Sequence, residues 1–344
     1  MDKAVPKNRF LALDALRGIA AIGIFIFHIH SANFLIFNGF WLLVDFFFIL
    51  SGFVLYPQIS ELARLSNGIS FIRKRIIRIL PLSSLTIVFM IFRQHSDELQ
   101  SLKRLEVSST PSYIGAILLL QVFSYQIVQV NLTLWSLSTE FFVNIMSVFF
   151  HSSKMILVVM VCSFFIMSFS IYNGYPKEIG LFALSRTLLG FYSGMVLRKF
   201  ENQIQLSKLR LAMCAVLLVP IFHLGGKYAL AILVAIPIFG AITLDASKIH
   251  YHEHSRYFTC ISVWLGRNSY GIYVWQVPVN SVVQSRYIAN IFTLEVSNIS
   301  TQIFVVICKL SVLLMVSELS IRYFEKPVQQ KLNELLTKVK KSDL

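Results

Sequence analysis

Charged side chains are scarce in this chain of 344 residues. Asp, Glu, Lys and Arg together make up 14% of it, whereas a soluble domain carries about a quarter. Hydrophobic residues account for 56% of the chain, and Phe alone occupies 30 positions. This composition leaves too little charge to cover a surface that faces water. It excludes a soluble globular enzyme and indicates that most of the chain faces lipid.

Cysteine is also rare in the sequence. The four cysteines lie far apart, in or beside apolar segments, at Cys162, Cys214, Cys260 and Cys308. Metal sites use cysteines at close and regular spacings, which these positions do not have. The sequence therefore predicts buried free thiols and no metal site.

Acidic residues are outnumbered by basic ones, 17 to 31, which gives a formal net charge of +14. The basic residues lie between apolar segments, as the positive-inside rule predicts for a membrane protein. They do not form a basic face with interleaved aromatic residues, which is the pattern of nucleic-acid binding. We therefore expect membrane lipids, and no nucleic acid, among the partners of this chain.

The apolar residues are grouped into stretches that are near or above the length needed to span a bilayer. They lie at about 11–30, 40–58, 79–94, 135–151, 155–172, 179–198, 209–223, 226–244, 262–283 and 301–322. No small-residue cleavage site follows the first stretch, which favours a transmembrane helix over a removed signal peptide. The expected fold is an all-α membrane protein of about ten transmembrane helices.

The loop charges predict an orientation for these spans. With both termini in the cytoplasm, the cytoplasmic segments hold most of the Lys and Arg residues. Residues 112–130 are apolar enough to span as well, but an eleventh crossing would move the basic C-terminus outside. A re-entrant or surface-lying segment is expected there. The transmembrane domain is expected over 1–330, followed by a basic tail over 331–344 that lies on the inner surface.

Cations gather at the predicted cytoplasmic ends of the spans. Arg75 and Arg78 are three residues apart, so they project to one side of a helix, and two guanidinium groups suit phosphate. A topology signal or a contact with anionic lipid is the alternative. Arg17 lies inside the first span, where topology does not require it. It is a further candidate for phosphate, with a structural ion pair to Asp14 as the alternative.

His28 follows Arg17 by eleven residues, which is about three helical turns or roughly 16 Å. Both side chains therefore lie on one stripe of the first span. Histidine titrates near neutrality and can accept and return a proton. Asp45 and Glu140 are predicted at a similar depth, where either carboxylate could orient the ring. The alternative for His28 is a structural histidine that a helix neighbour satisfies.

Seven motifs in sequence order carry a resemblance to a known family. They are LDALRG with Arg17 and His28, GFWLLVDFFFILSGFVL, the pair Arg75 and Arg78 followed by Pro81, LWSLSTEFF with Trp135, Ser136 and Glu140, RTLLGFYSGM with Arg186, NSYGIYVWQ with Gln276, and RYFEKP with Arg322 and Glu325. Together they resemble the acyltransferase 3 family of integral-membrane enzymes, which modify cell-surface polysaccharides.

The resemblance implies a bacterial inner-membrane enzyme that uses acyl-CoA, usually acetyl-CoA, as a co-substrate at the cytoplasmic face. No permanently bound cofactor is implied. The acceptor would be a hydroxyl of a saccharide of the O-antigen or exopolysaccharide type, or of its lipid-linked precursor. Carried over to this chain, Arg17, Arg75 and Arg78 would hold the CoA phosphates. His28 would be the general base on the acceptor hydroxyl, or would take part in moving the acyl group. Glu140 and Asp45, chosen for their predicted depth, complete the expected catalytic set.

The chain departs from the family pattern in two respects. Many members have a histidine where this chain has Gln276, and glutamine cannot relay a proton at neutral pH. Gln276 is instead a candidate, with Ser51 and Ser136, to stabilise an oxyanion. Many relatives also carry a fused extracytoplasmic hydrolase-like domain that this sequence lacks. Direct transfer is expected, with a separate extracytoplasmic partner as the other route.

A transporter or flippase for a polysaccharide precursor is the alternative function, because intramembrane charges suit a transporter too. The cationic cluster and the histidine on one aligned path favour the acyltransferase. So does the lack of paired inverted halves with broken helices. A non-catalytic scaffold would leave the alignment of Arg17 with His28 without a purpose.

Overall fold

The computed structural model describes most of the chain, and the regular secondary structure of the described part is helical, with no strand in it. The described residues are 10–29, 35–62, 65–101, 110–128, 130–225, 228–249, 256–283 and 299–342. The predicted cytoplasmic segment 1–10 lies almost wholly outside them. An all-helical fold agrees with the composition, because a helix satisfies its own backbone where no water is present.

Thirteen α-helices are seen in the described part of the chain. They are α1 (Leu11–Ile29), α2 (Leu43–Ser60), α3 (Leu65–Ser101), α4 (Thr110–Ile117), α5 (Tyr125–Val128), α6 (Trp135–Phe149), α7 (Ser153–Tyr172), α8 (Gly180–Phe200), α9 (Lys208–Gly225), α10 (Ala231–Ser247), α11 (Arg256–Val283), α12 (Ile299–Ser320) and α13 (Lys326–Ser342). A 3-10 helix, Leu35–Leu42, precedes α2, and a π-helical turn, Ile321–Glu325, joins α12 to α13.

Eight helices in the described residues are long and apolar enough to cross a membrane. They coincide with eight of the ten stretches found in the sequence. α10 is apolar but has 17 residues, and α11 has 28 residues with a more polar composition. The fold class is confirmed as helical. The count of ten spans and the cytoplasmic placement of both termini stay predictions.

The segment 112–130 does not form one long helix. α4 ends at Ile117, and Leu119 follows with a left-handed φ of 57°. Ser138 of α6 supports this break, because its Oγ donates to the Leu119 carbonyl (2.6 Å) and accepts from the Val122 amide (3.2 Å). Gln121 Nε2 also donates to the Ala116 carbonyl (3.0 Å). Buried non-helical backbone is tolerated in a membrane protein where protein groups satisfy it. That the segment is re-entrant or surface-lying stays a prediction.

The chain divides into two compact units. Unit 1 comprises residues 1–56 and 190–270, and unit 2 comprises residues 57–189 and 271–344. The predicted division into 1–330 and 331–344 follows motifs instead and stays a prediction. The structure shows a helix, α13, over Lys326–Ser342, so the expected tail is helical.

Glycines allow helices to approach closely in unit 1. A Cβ on Gly39 would lie 1.9 Å from the Phe222 carbonyl oxygen, and one on Gly52 would lie 1.8 Å from that of Phe191. Only glycine leaves room for a neighbouring backbone at these two points. Trp41 Nε1 fixes the first contact by donating to the Gly225 carbonyl (3.0 Å). The glycines of the GFWLLVDFFFILSG motif therefore serve the packing of unit 1.

A buried carboxylate joins α9 to α10 in unit 1. Asp245 is fully buried and accepts from the Arg210 guanidinium, with its Oδ2 2.7 Å from Arg210 Nε. The same carboxylate accepts from the Ser207 amide (3.2 Å) at the start of α9. Because all of its contacts are charge-assisted or backbone bonds, this carboxylate is buried at little net cost.

Two contacts fix the packing of α3 against α6 in unit 2. A Cβ on Gly68 would lie 2.5 Å from Val148 near the end of α6. Thr86, five turns further along α3, accepts from Asn131, which precedes α6 (3.5 Å). α3 and α6 therefore run antiparallel, with the Gly68 end of one beside the C-terminal end of the other.

α11 runs parallel to α3. The Phe89 ring lies 5.6 Å from the Trp275 ring, and Arg93 Nη2 donates to the Ser281 carbonyl (3.5 Å). Later residues of one helix thus meet later residues of the other. The Thr86–Arg93 end of unit 2 consequently contains the C-terminal part of α11.

α12 runs antiparallel to α11. A Cβ on Gly271 would lie 2.3 Å from Ser317 Oγ, and Lys309 Nζ donates to Asn280 Oδ1 (3.3 Å). Glycine at 271 is therefore needed for close packing. The two contacts also place Lys309 toward the same end of unit 2 as Asn280.

The cysteines are free, as expected, but they are not all buried. Cys214 is buried, Cys308 is half-buried, and Cys162 and Cys260 are exposed. The prediction of buried thiols was wrong for these two because their helices turn that face away from the packed interior. In a chain rich in lipid-facing helices, an apolar segment does not imply burial inside the protein.

Replacing Ser138 with Ala should destabilise the protein by about 1–3 kcal/mol, because it leaves the Leu119 carbonyl and the Val122 amide without a partner. The measurement is thermal unfolding in detergent. Ser170→Ala is the control, because Ser170 Oγ donates only to the Ile166 carbonyl of its own helix and the helix still satisfies that carbonyl. Equal stability of the two variants would contradict the role of Ser138.

Candidate functional site

The residues singled out in the sequence fall into both units. Unit 1 contains Asp14, Arg17, His28, Asp45 and Ser51. Unit 2 contains Arg75, Arg78, Trp135, Ser136, Glu140, Arg186, Gln276, Arg322 and Glu325. Each group is described by itself.

In unit 1, α1 carries three of the predicted ionisable residues. Asp14 lies in the first turn, where the helix dipole stabilises a carboxylate, and His28 lies in the last turn. Arg17, one turn after Asp14, is half-buried, as is His28. Asp14 also lies against α11, since a Cβ on Gly266 would be 2.5 Å from its Oδ1.

The other candidates of unit 1 lie on α2. Asp45 is fully buried in the first turn of this helix, where the N-terminal dipole stabilises its charge. Ser51 is half-buried further along. The His28 ring packs edge-on against the Phe27 ring at 5.0 Å. That a carboxylate orients this imidazole stays a prediction.

In unit 2, the Tyr273 hydroxyl is the centre of a buried polar group. It lies 2.5 Å from Ser136 Oγ and donates to the Thr133 carbonyl oxygen (2.9 Å). All three residues are at most 7% exposed. Glu140 follows Ser136 by one turn of α6, and Arg186 of α8 lies against the residue that precedes Ser136. The structure therefore brings together three of the predicted residues, Ser136, Glu140 and Arg186, around a tyrosine.

Asn131 connects this centre to α3 and to a second point of α11. Its Nδ2 donates to Thr86 Oγ1 of α3 and to the Val274 carbonyl of α11, both at 3.5 Å. That carbonyl lacks its usual helical donor, because the residue four positions on is Pro278, which has no N–H. Asn131 Oδ1 also accepts from Thr133 Oγ1 (2.9 Å). The Asn131 carboxamide thus satisfies the Val274 carbonyl that Pro278 leaves without a donor. It also positions the neighbouring Tyr273 along α11.

Arg186 is buried beside the same centre, with 1% of its surface exposed. Its guanidinium carbon lies 5.3 Å from the centre of the Trp135 ring, in a cation–π arrangement. The next residue, Thr187, donates to Thr139 Oγ1 of α6 (2.8 Å). The first part of α8 is therefore held against α6 through two successive polar contacts.

Arg75 lies toward the other end of the α3–α6 pair. Its guanidinium carbon is 5.6 Å from the centre of the Phe71 ring, one turn earlier on α3. Arg75 is half-buried and its Nε has no hydrogen-bond partner in the described part of the chain. Arg78 is exposed. An anion that binds here would find one sheltered and one accessible guanidinium.

Gln276 is the most isolated of the predicted residues. It is fully buried, and neither Oε1 nor Nε2 has a hydrogen-bond partner among the described residues. It follows Tyr273 by three positions, so both side chains project from one side of α11. Buried amides are normally paired. The orphaned amide is therefore available to a bound substrate.

The RYFEKP residues have partners nearby in sequence. Arg322 pairs with Glu318, and Glu325 accepts from Gln329 Nε2 (3.0 Å). Arg322 is exposed. These contacts stabilise the junction between α12 and α13 and give the motif a structural role.

Three residues of the polar centre, Asn131, Thr133 and Tyr273, were not predicted as site residues. Tyr273 belongs to the NSYGIYVWQ motif, so its position was visible. Asn131 and Thr133 directly precede the LWSLSTEFF motif. Their polarity at the start of an apolar helix was the available signal, but turn residues commonly have the same composition.

Helices fit to cross a membrane, with polar groups buried between them, define the class as that of helical integral-membrane proteins. Within it, the chain matches the acyltransferase 3 family, described as an acyltransferase domain, over residues 10–317. The chain belongs to this family. The expectation drawn from the seven motifs is confirmed.

Similar curated proteins include the O-acetyltransferase OatA of Staphylococcus aureus strains NCTC 8325, COL and MRSA252. Each is 24% identical over 367 aligned residues, which cover 96% of this chain and 59% of the relative. The chain thus spans about three fifths of the length of these relatives. No solved structure shows a significant match.

A double-mutant cycle on Tyr273→Phe and Ser136→Ala tests the polar centre. Since the two hydroxyls share one short hydrogen bond, the cycle should give a coupling of about 0.5–3 kcal/mol in thermal or chemical unfolding. Ser147→Ala is the control partner, because Ser147 Oγ donates within α6 to the Asn144 carbonyl. Additive effects of Tyr273→Phe and Ser136→Ala would refute the shared bond.

Proposed function

We propose that the protein transfers an acyl group, acetyl in the first instance, from acyl-CoA to a saccharide hydroxyl. The acceptor is a cell-surface saccharide, or its lipid-linked precursor, at the bacterial inner membrane. Membership of an acyltransferase family and the printed name of the OatA relatives support this assignment. The observation that carries it is the buried polar centre around Tyr273, which is assembled from the family motifs of α6, α8 and α11.

Arg75 and Arg78 are assigned to the phosphates of the donor, and Arg17 stays a further candidate for phosphate. Guanidinium groups keep their charge and bind phosphate oxygens in pairs. Arg75 precedes Thr86 of the polar centre by eleven residues, which is roughly 16 Å along α3. Arg17 precedes His28 by the same spacing on α1. Such a separation suits a donor whose charged end lies far from its reacting thioester.

The proposed reaction is a direct acyl transfer. His28 accepts the proton of the acceptor hydroxyl, and the resulting oxygen nucleophile attacks the thioester carbonyl carbon. The tetrahedral intermediate then collapses with cleavage of the carbon–sulfur bond. The CoA thiolate leaves and takes up the proton from His28. The products are the saccharide ester and free CoA, and the imidazole returns to its neutral form.

Charge that develops on the carbonyl oxygen needs hydrogen-bond donors in a dry site. The Gln276 amide and the Ser136 hydroxyl are assigned this role. Gln276 Nε2 donates a hydrogen bond without giving up a proton, and because the amide is neutral it can do so in a buried site. The histidine found at this position in many relatives is therefore not required for proton transfer here. Asp45 and Glu140 are assigned to charge compensation and orientation.

A transporter of the same precursor is separated from an acyltransferase by one experiment. Purified full-length protein in detergent is mixed with acetyl-CoA and a candidate saccharide acceptor, and both free CoA and acetyl ester are measured. We expect acceptor-dependent CoA release with matching ester formation. No release of CoA and no acetyl ester, with or without the acceptor, would overturn the proposal.

Replacing His28 with Ala should lower kcat by at least about 100-fold, because general base catalysis contributes that much or more. The readout is acetyl ester formed by purified protein, with membrane insertion checked by fractionation. His223→Ala is the matched control, since His223 is exposed on α9 and should be without effect. Full activity of His28→Ala would exclude it as the base.

Replacing Arg75 with Gln should raise the KM for acetyl-CoA by about tenfold, because a charge-assisted bond to phosphate is lost. The effect should fall as salt rises. Arg73→Gln is the control, since Arg73 is an exposed arginine two residues earlier on the same helix. An unchanged KM in Arg75→Gln would assign the donor phosphates elsewhere.

A further inference from the structure

An ammonium group lies in the middle of one of the most apolar helices. Lys309 is the eleventh of the 22 residues of α12, and no other Lys, Arg or His occurs in that helix. A charge within a membrane-spanning helix is costly and is usually retained for function. The positive-inside rule does not account for it, because Lys309 lies well before the basic C-terminal end of the chain.

The structure gives Lys309 a neutral partner. Its Nζ donates to Asn280 Oδ1 at 3.3 Å, and both residues are half-buried. An ammonium group has three donors, and an uncharged carboxamide does not compensate its charge. Within the described residues, the Lys309 ammonium is therefore held in place by a group that leaves its charge available to an anion.

Asn280 continues the polar stripe of α11 toward the end of that helix. Tyr273, Gln276 and Asn280 project from one side of α11, and the seven residues between first and last correspond to roughly 10 Å. Tyr273 and Gln276 are buried, whereas Asn280 is half-buried. The stripe thus leads from the polar centre to a more accessible position, where Lys309 lies.

A second cation reaches the next residue of the same helix. Arg93 of α3 donates through Nη2 to the Ser281 carbonyl (3.5 Å). Two helices thus bring positive charge to one turn of α11, four residues from the orphaned amide of Gln276. Cations at this end of unit 2 lie at the opposite end of α3 from Arg75, which is assigned to the donor phosphates.

We propose that Lys309, held by Asn280, binds an anionic oxygen group of the acceptor saccharide. The substrate class is then an acidic saccharide, or one attached to a pyrophosphate carrier, rather than a neutral glycan. This inference rests on the proposed acyltransferase function and adds the charge of its acceptor. Carboxylate and pyrophosphate share the chemistry that an ammonium recognises, and the experiment below separates them.

The test measures binding to the full-length protein in detergent, without donor, at low salt. Three ligands are compared: a neutral disaccharide, the matching disaccharide with one uronic acid, and the neutral disaccharide on a short polyprenyl pyrophosphate. At least one anionic ligand should bind about tenfold more tightly than the neutral one. The carboxylate and the pyrophosphate arms identify the source of the anion.

Replacing Lys309 with Met should reduce this preference toward unity, and Lys309→Arg should retain most of it. The preference is a ratio of two dissociation constants on one preparation, so a partly unfolded variant still reports it. Ser311→Ala, an exposed position two residues along α12, is the control and should keep the wild-type ratio. A role of Lys309 that is only structural would lower Tm without changing the ratio.

Equal binding of all three ligands by the wild type, binding of none of them, or an unchanged ratio in Lys309→Met would each overturn the inference. Failure of the proposed function looks different. In that case the wild type would prefer the anionic ligand but would form no acetyl ester from acetyl-CoA.

Discussion

Unit 2 depends on one constraint: a carbonyl freed inside an apolar helix bundle must find a donor in the protein. Pro278 removes a backbone donor from α11, and the Asn131 carboxamide donates to the buried Val274 carbonyl that is left without its helical partner. The same side chain bonds Thr86 of α3. The Asn131 carboxamide can reach Thr86 and Val274 at once only if α3 and α11 keep their positions along their axes relative to the start of α6. Tyr273 is positioned as a consequence.

The sheltered guanidinium groups of unit 2 obey a related constraint, which is that each lies against an aromatic ring. Arg186 stacks on Trp135 and Arg75 on Phe71. The face of an aromatic ring attracts a cation, and this lowers the cost of holding a guanidinium in a medium of low dielectric constant.

Much of the fold follows from hydropathy and charge, and much of the site does not. Apolar length located eight of the long helices. Over 112–130, where the topology argument expects a re-entrant or surface-lying segment, the structure has no single long helix. The contacts of Asn131 and Lys309 depend on the register between helices far apart in sequence, which periodicity within one helix does not encode. The prediction that Cys162 is buried was wrong for a similar reason. Hydropathy does not distinguish the lipid-facing side of a helix from its packed side.

Along α11 the kinds of polar group are sorted by burial. The neutral Gln276 amide occupies a fully buried position. Asn280 lies one turn further along α11, where it accepts from Lys309 of α12, and both of these residues are half-buried. A titratable group in the buried position would lose its charge to desolvation, whereas an amide keeps its donors at every pH. Glutamine in place of histidine therefore removes a proton acceptor from the polar centre without removing a hydrogen-bond donor. The proton of the acceptor hydroxyl must then be handled outside α11, which is why the proposed mechanism assigns it to His28 alone.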